Sequence, residues 1–333
     1  MDGILSSATF LTAALARQGA GLRAELQRAS TEMTTGQKAD AGAALRGDFY
    51  GLSAIDHSLA RLRGYKATTS ETALLADTMQ TALGVIADGA NTIGADLLRN
   101  TGLNLPAQLG AIVGDGRRQF DTAIAALNTR FAERAVFGGV VAETSPLPDA
   151  ETILAALDTA TAGAVTVQDV VTAISGWFDD PAGYGALYVG GAARSPLPIA
   201  AGEEVTLDAT ATDPALRDTL KGLAIVAMLD RGILGGQHQA RGDLAKAAGE
   251  QLLTSGEARA TLMARIGTAQ GQIQDATARN GAEETALGIA RADMLAADPY
   301  ETAARLKNIE DRLNSLYVLT ARLSGLSLTG YLR

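Results

Sequence analysis

Eight apolar residues near the start of the chain, Ile4, Ala8, Leu11, Leu15, Leu22, Leu26, Ala29 and Met33, follow one another at gaps of three, four or seven. The other end repeats the pattern with Leu306, Ile309, Leu313, Leu316, Leu323 and Leu326. Such spacing lays every apolar side chain along one narrow stripe of an α-helix, and nothing else in the sequence restricts the fold as strongly. The first stripe predicts a helix about 45 Å long. It should stop at Thr34-Thr35-Gly36, where glycine accepts the backbone conformation that closes a helix.

A helix of this kind is unstable alone in water, because each Leu contributes about 1.5–3 kcal/mol only when it is buried. The nearest partner for one end stripe is the other, so Leu11, Leu15, Leu22, Leu26 and Met33 are expected to meet Leu306, Ile309, Leu313, Leu316, Leu323 and Leu326 in a coiled coil. Two helices still leave apolar surface open. Chain ends fray unless something holds them, so neighbouring copies of the chain are the expected cover, and the stripes are read as an assembly interface.

Helical periodicity continues inward. It runs from about 51 to 98, through Leu52, Ile55, Leu59, Leu62, Leu74, Leu75, Met79, Leu83 and Ile86, and again over 105–135, through Leu109, Ile112, Phe120, Ile124, Leu127 and Phe131. The period breaks at Val136-Phe137-Gly138-Gly139-Val140-Val141, with Gly138 and Gly139 read as a turn, and Pro146 and Pro148 follow. Two short helices are predicted within 149–179, then short strands at 186–189, 197–200 and 205–209. Asp213-Pro214 restarts helix with Asp as N-cap and Pro at the first helical position, and Asp298-Pro299 repeats that signal. The stretch 238–296 between them is helix-compatible throughout.

The expected fold is therefore mainly α. Residues 1–40 and 297–333 form the terminal coiled coil, 41–137 and 213–296 a helical rod domain, and 138–212 a small inserted α/β or β-rich domain. The side-chain supply agrees, since apolar residues make up 47% of the chain but aromatics only 4%, which favours helices packed through Ala, Leu, Val and Ile.

Net charge of -9 without a dense basic run argues against nucleic acid or an anionic membrane as partner. The absence of cysteine removes disulfides, thiol catalysis and thiolate metal sites together. The start, Met1-Asp2-Gly3-Ile4-Leu5-Ser6-Ser7, lacks the basic stretch and apolar run of a cleaved signal peptide, and the most apolar segment, 223–229, is too short to span a bilayer. Export, if it occurs, is expected by a dedicated route.

Catalytic chemistry finds no foothold. His57 and His238 lack partners at metal-ligand spacing. The Gly138-Gly139 and Gly235-Gly236 pairs lack the strand and helix context of a nucleotide loop. Asp179-Asp180-Pro181 reads as a solvated turn, and Trp177-Phe178 as core packing. No enzyme activity, metal or cofactor is expected.

Several separated segments resemble the flagellin superfamily. Met33-Thr34-Thr35-Gly36-Gln37-Lys38 is similar to the end of that family's leading helix. Asp298-Pro299-Tyr300-Glu301-Thr302-Ala303 resembles the start of its last helix, and Leu326-Ser327-Leu328 with Tyr331-Leu332-Arg333 resembles its closing residues. Arg134-Ala135-Val136-Phe137-Gly138-Gly139, followed by Thr144, Ser145 and Pro146, is similar to the glycine turn of the hook-filament junction proteins, the branch also called hook-associated protein three. The resemblance implies a structural subunit exported through the flagellar type III apparatus to an extracellular flagellum. It also implies as partners the hook-side junction protein, flagellin and an export chaperone that shields the C-terminal helix. Two alternatives stay open at this point: a filament-forming flagellin, and an adhesin or enzyme carried by residues 138–212.

Overall fold

The computed structural model describes the backbone of residues 2–40, 42, 45, 47–100 and 106–331, and the side chains of residues 10, 13–40, 42, 45, 47–100 and 108–322. The protein is mainly α with two small antiparallel strand pairs among the described residues. In chain order the helices are α1 (Asp2–Thr35), α2 (Tyr50–Asn100), α3 (Pro106–Leu127), α4 (Ala150–Thr161), α5 (Val167–Asp179), α6 (Tyr184–Leu187), α7 (Pro214–Asp230), α8 (His238–Thr254), α9 (Gly256–Met294) and α10 (Pro299–Tyr331). Strands β1 (Arg130–Phe131) and β2 (Arg134–Ala135) form one pair, β3 (Leu197–Ala200) and β4 (Glu203–Val205) the other. The chain divides into two compact units, 1–62 with 282–333, and 63–281.

In the second unit the core is continuous from α2 to α9. Leu75, Met79, Leu83, Ile86, Ala90, Ile93 and Leu97 of α2 recur every three or four residues and are all buried, as one face of a helix requires. Helix α7 is different: every residue from Thr219 to Leu229 is buried. A helix that is apolar all round has to be surrounded, and α7 packs against α3, α4, α5 and α8. That is where the most apolar run of the sequence goes. Residues 138–212 feed the same core through Leu147, Ile153, Leu157, Ile174, Phe178 and Tyr184. Phe178 stacks 5.1 Å from both the Trp177 and Tyr184 rings.

Predicted helix starts are found with their chemistry in place. Asp213 caps α7 by accepting from Ala215 N at 3.0 Å with Pro214 following. Asp298 caps α10 by accepting from Tyr300 N at 2.8 Å. Thr166 and Asp169 complete a capping box at α5, in which each side chain bonds the other's backbone N–H.

Four local expectations are corrected, one being the strand predicted at 205–209, where β4 ends at Val205 and 206–209 are not strand. The helix predicted over 105–135 ends at Leu127, and residues 130–135 form the β1–β2 hairpin with Ala132 and Glu133 at φ 47° and 62°. The amide of Asn128 takes over there, with Oδ1 accepting from Leu147 N and Nδ2 donating to Leu147 O, both at 3.0 Å. The strand predicted at 186–189 is replaced by the single helical turn α6, drawn in by Tyr184, whose buried hydroxyl donates to Ala211 O at 2.8 Å. The run 238–296 is two helices, broken at Ser255. The buried guanidinium of Arg259 binds both Leu252 O and Ser255 Oγ at that break.

Candidate assembly surface

In the first unit α1 and α10 run antiparallel. Leu22 and Ala29 of α1 are buried against Ile309, Leu313 and Leu316 of α10, with Leu15, Leu26 and Leu306 partly buried beside them. Seven of the eleven residues predicted for the interface, Leu15, Leu22, Leu26, Leu306, Ile309, Leu313 and Leu316, therefore belong to one seam or its margin. Met33 is 49% exposed and stands outside it. Leu11, Leu323 and Leu326 fall on the two helices, but their side chains lie outside the described residues.

Where α1 ends, Gly36 takes φ 68°, the left-handed conformation that costs glycine least. The chain then pairs with the approach to α10, through Lys38 N to Leu295 O at 2.8 Å and Ala297 N to Gly36 O at 2.9 Å. Glu32 is buried just inside this corner, its Oε1 accepting from Ala39 N at 3.0 Å and its Oε2 lying 3.3 Å from Arg305 Nη1. Arg23 reaches across the seam to the Tyr317 hydroxyl, and its guanidinium carbon lies 5.8 Å from the ring centroid. Neither Glu32 nor Arg23 was singled out from the sequence. A charged residue beside a heptad position is ordinary, and its partner lies almost 300 residues away.

The seam leaves one side open. Leu316 faces α1 at 7% exposure, but the next three residues, Tyr317, Val318 and Leu319, are each about half exposed. A groove of about 610 Å³ runs between the two helices, lined by Leu15, Leu22, Leu316 and Leu319 with Glu25 and Arg312 at its rim. Four successive residues cover a full turn of helix, so α10 is apolar all round here while α1 covers only one side.

Gly138 and Gly139 lie in the second unit. A Cβ on Gly138 would fall 2.5 Å from Val141 O, and one on Gly139 2.2 Å from Ala192 O, with Gly139 also at φ 62°. Only glycine fits, because backbone closes on both positions. The Asp179 carboxylate lies 2.8 Å from Lys221 Nζ. Burial pulls the Lys221 pKa down, but hydrogen bonds to Asp179 and Asp218 outweigh it and raise the pKa on balance. Asp180 Oδ1 accepts from Ala182 N in the turn that follows. Among the described residues no group of three His, Cys, Asp or Glu side chains is placed to hold a metal, and no helix is long and apolar enough to cross a membrane.

The class this fold defines is that of mainly α proteins whose first and last helices pair with each other. Two solved structures resemble this fold over part of the chain at low sequence identity. FlgL of Bacillus cereus superposes with a TM-score of 0.50 at 15% identity, over 70% of this chain and 96% of that one. A Vibrio parahaemolyticus protein assigned as flagellar hook-associated superposes with a TM-score of 0.51 at 13% identity, over 73% of this chain and 95% of that one. No protein-family model and no curated protein matches the chain in sequence. At these identities the likeness is one of fold.

Proposed function

We propose that the chain is a structural subunit of a bacterial flagellum that joins hook to filament, and that it is not an enzyme. The observation that carries this reading is the half-covered apolar turn 316–319 on α10. Three exposed apolar side chains beside a buried Leu forfeit several kcal/mol unless another surface covers them, at about 25 cal/mol per Å² of apolar area. In a tube of identical subunits the terminal helices of sister copies supply that surface. The fold likeness to FlgL and to a flagellar hook-associated protein supports a flagellar setting.

In this reading Leu11, Leu15, Leu22, Leu26, Met33, Leu306, Ile309, Leu313, Leu316, Leu323 and Leu326 are the assembly interface. Residues 1–40 and 297–333 are its coiled-coil domain, 41–137 and 213–296 the rod, and 138–212 the outer insert. Partners are further copies, a hook-side junction protein and flagellin. An export chaperone holds the C-terminal helix before assembly, as a groove holds an amphipathic helix, and the protein reaches the outside of the cell through the flagellar export route. Deleting the gene in the source bacterium tests the reading. Cells should then carry hooks without filaments and fail to swim, and a deletion strain with normal filaments contradicts it.

A further inference from the structure

Sulfur chemistry in this chain belongs to methionine alone, because there is no cysteine. The described methionines fall into two groups. Met79 and Met228 are buried in the core of the second unit, with Met263 partly buried against it. Met33 and Met294 are 49% and 42% exposed. A peroxide must reach the thioether to oxidise it, so these two are the open targets.

Met294 also holds a junction. It is the last residue of α9, and its side chain reaches the first turn of α2, where a Cβ on Gly51 would fall 3.2 Å from Met294 Cε and 3.9 Å from its Sδ. Glycine, lacking that atom, lets the methyl and sulfur come close. One turn earlier on α9, Arg291 Nε lies 2.7 Å from Asp56 Oδ1. The next residue, Leu295, is buried, and its carbonyl accepts from Lys38 N at 2.8 Å. Met294 thus stands between an ion pair to α2 and the backbone bonds that join the end of α1 to the approach to α10.

We propose that Met294 is an oxidation site whose sulfoxide loosens this junction. A peroxide supplies the oxygen. Its O–O bond breaks as a sulfur lone pair forms the S–O bond, and the proton of the transferred oxygen leaves with the departing half as water or an alcohol. Sulfur is oxidised and the peroxide is reduced by the same electron pair. The product is polar, and its S–O group has to keep a hydrogen-bond partner. The tight space over Gly51 has no room for that oxygen and its water together. Three rotatable bonds let the side chain turn out to solvent without moving α9. The Arg291–Asp56 pair that remains is part-exposed and holds little by itself, so the bond from Lys38 to Leu295 opens more often.

The full-length chain carrying Met33→Leu is treated with hydrogen peroxide, and peptide mass spectrometry follows the added oxygen. Met294 should be oxidised at least about tenfold faster than Met79, Met228 or Met263, which react only when the core opens. Hydrogen exchange at the Lys38 amide should then speed up about tenfold, with 63–281 unchanged. A methionine sulfoxide reductase should restore the original rate. A chain carrying both Met33→Leu and Met294→Leu should show no change at Lys38 under the same treatment. Oxidation of Met79, Met228 or Met263 as fast as Met294 overturns the site. Full conversion of Met294 with exchange at Lys38 unchanged or slower, or an equal rise in the chain lacking Met294, overturns the loosening. Neither result bears on the assembly reading, since no flagella are involved.

Discussion

Arg305 on α10 places its Nη1 3.3 Å from Oε2 of Glu32 on α1, and the Glu32 side chain is only 7% exposed. The pair ties the last turn of α1 to the first turns of α10, beside the backbone bonds between 36–38 and 295–297. The corner thus fixes the register in which Leu22 and Ala29 meet Ile309, Leu313 and Leu316. Arg305→Ala leaves a buried carboxylate with Ala39 N as its remaining donor. Because Arg305 is itself 44% exposed, the cost is about 1–2 kcal/mol, below that of a fully buried pair. Hydrogen exchange should show faster opening of α1 and α10 in this variant, with 63–281 unchanged. Unaltered exchange in both helices would show that the corner does not hold them.

Gly139→Ala should destabilise the second unit by about 2–3 kcal/mol, combining a left-handed backbone with a Cβ that meets carbonyl oxygen. The clash is with Ala192 O, so the loops at 138–140 and 191–192 must separate. Urea unfolding measures the cost. A variant as stable as the parent would mean that the turn relaxes without loss.

Arg259, 3% exposed, donates to Thr219 Oγ1, Leu252 O and Ser255 Oγ through Nη1 and to Asn91 Oδ1 through Nη2. Burial pulls its pKa down. Arg259→Met strands these buried acceptors and should cost about 2–4 kcal/mol in urea unfolding. Arg259→Lys keeps the charge but lacks the planar fork, so it should recover only part of the loss. Full recovery by Lys would mean that charge, not geometry, holds the break at Ser255.

Two carboxylates at helix N-termini, the Asp149 N-cap and the Asp169 of the α5 capping box, set an acid dependence. Asp149 is held below its ordinary 3.8 by hydrogen bonds from Thr152, and Asp169 likewise by Thr166 and then Val165. A carboxyl whose folded pKa lies below its unfolded one adds stability above the unfolded value and loses it as pH falls through the folded one. Stability carried by these caps is therefore full at neutral pH and declines below about pH 4. An Asp149→Asn, Asp169→Asn variant keeps an acceptor at each cap and should lose less stability than the parent on acidification. Parallel losses in the two proteins would contradict this.

Much of the architecture was legible because helices announce themselves through spacing and caps. The helices that carry the two end stripes, and the starts at Asp213-Pro214 and Asp298-Pro299, each depend on neighbours within a turn, and they form where expected. What stayed hidden depends on distant partners. The end of α3 is taken by Asn128 bonding Leu147, α6 forms because Tyr184 reaches Ala211, and the break at Ser255 is held by Arg259 with Asn91. The open side of α10 was half legible. Leu316 and Leu319 read as apolar, but only the packing shows that Tyr317, Val318 and Leu319 are left about half exposed beside α1.

That open side gives the most direct test. Val318→Asp with Leu319→Asp alters residues that are 53% and 52% exposed, so the purified monomer should keep its helix content and unfold as the parent does. Produced in the source bacterium, the same chain should be absent from isolated flagella, and the cells should not swim. Incorporation at the parental level would contradict the claim that sister copies complete the burial of this face.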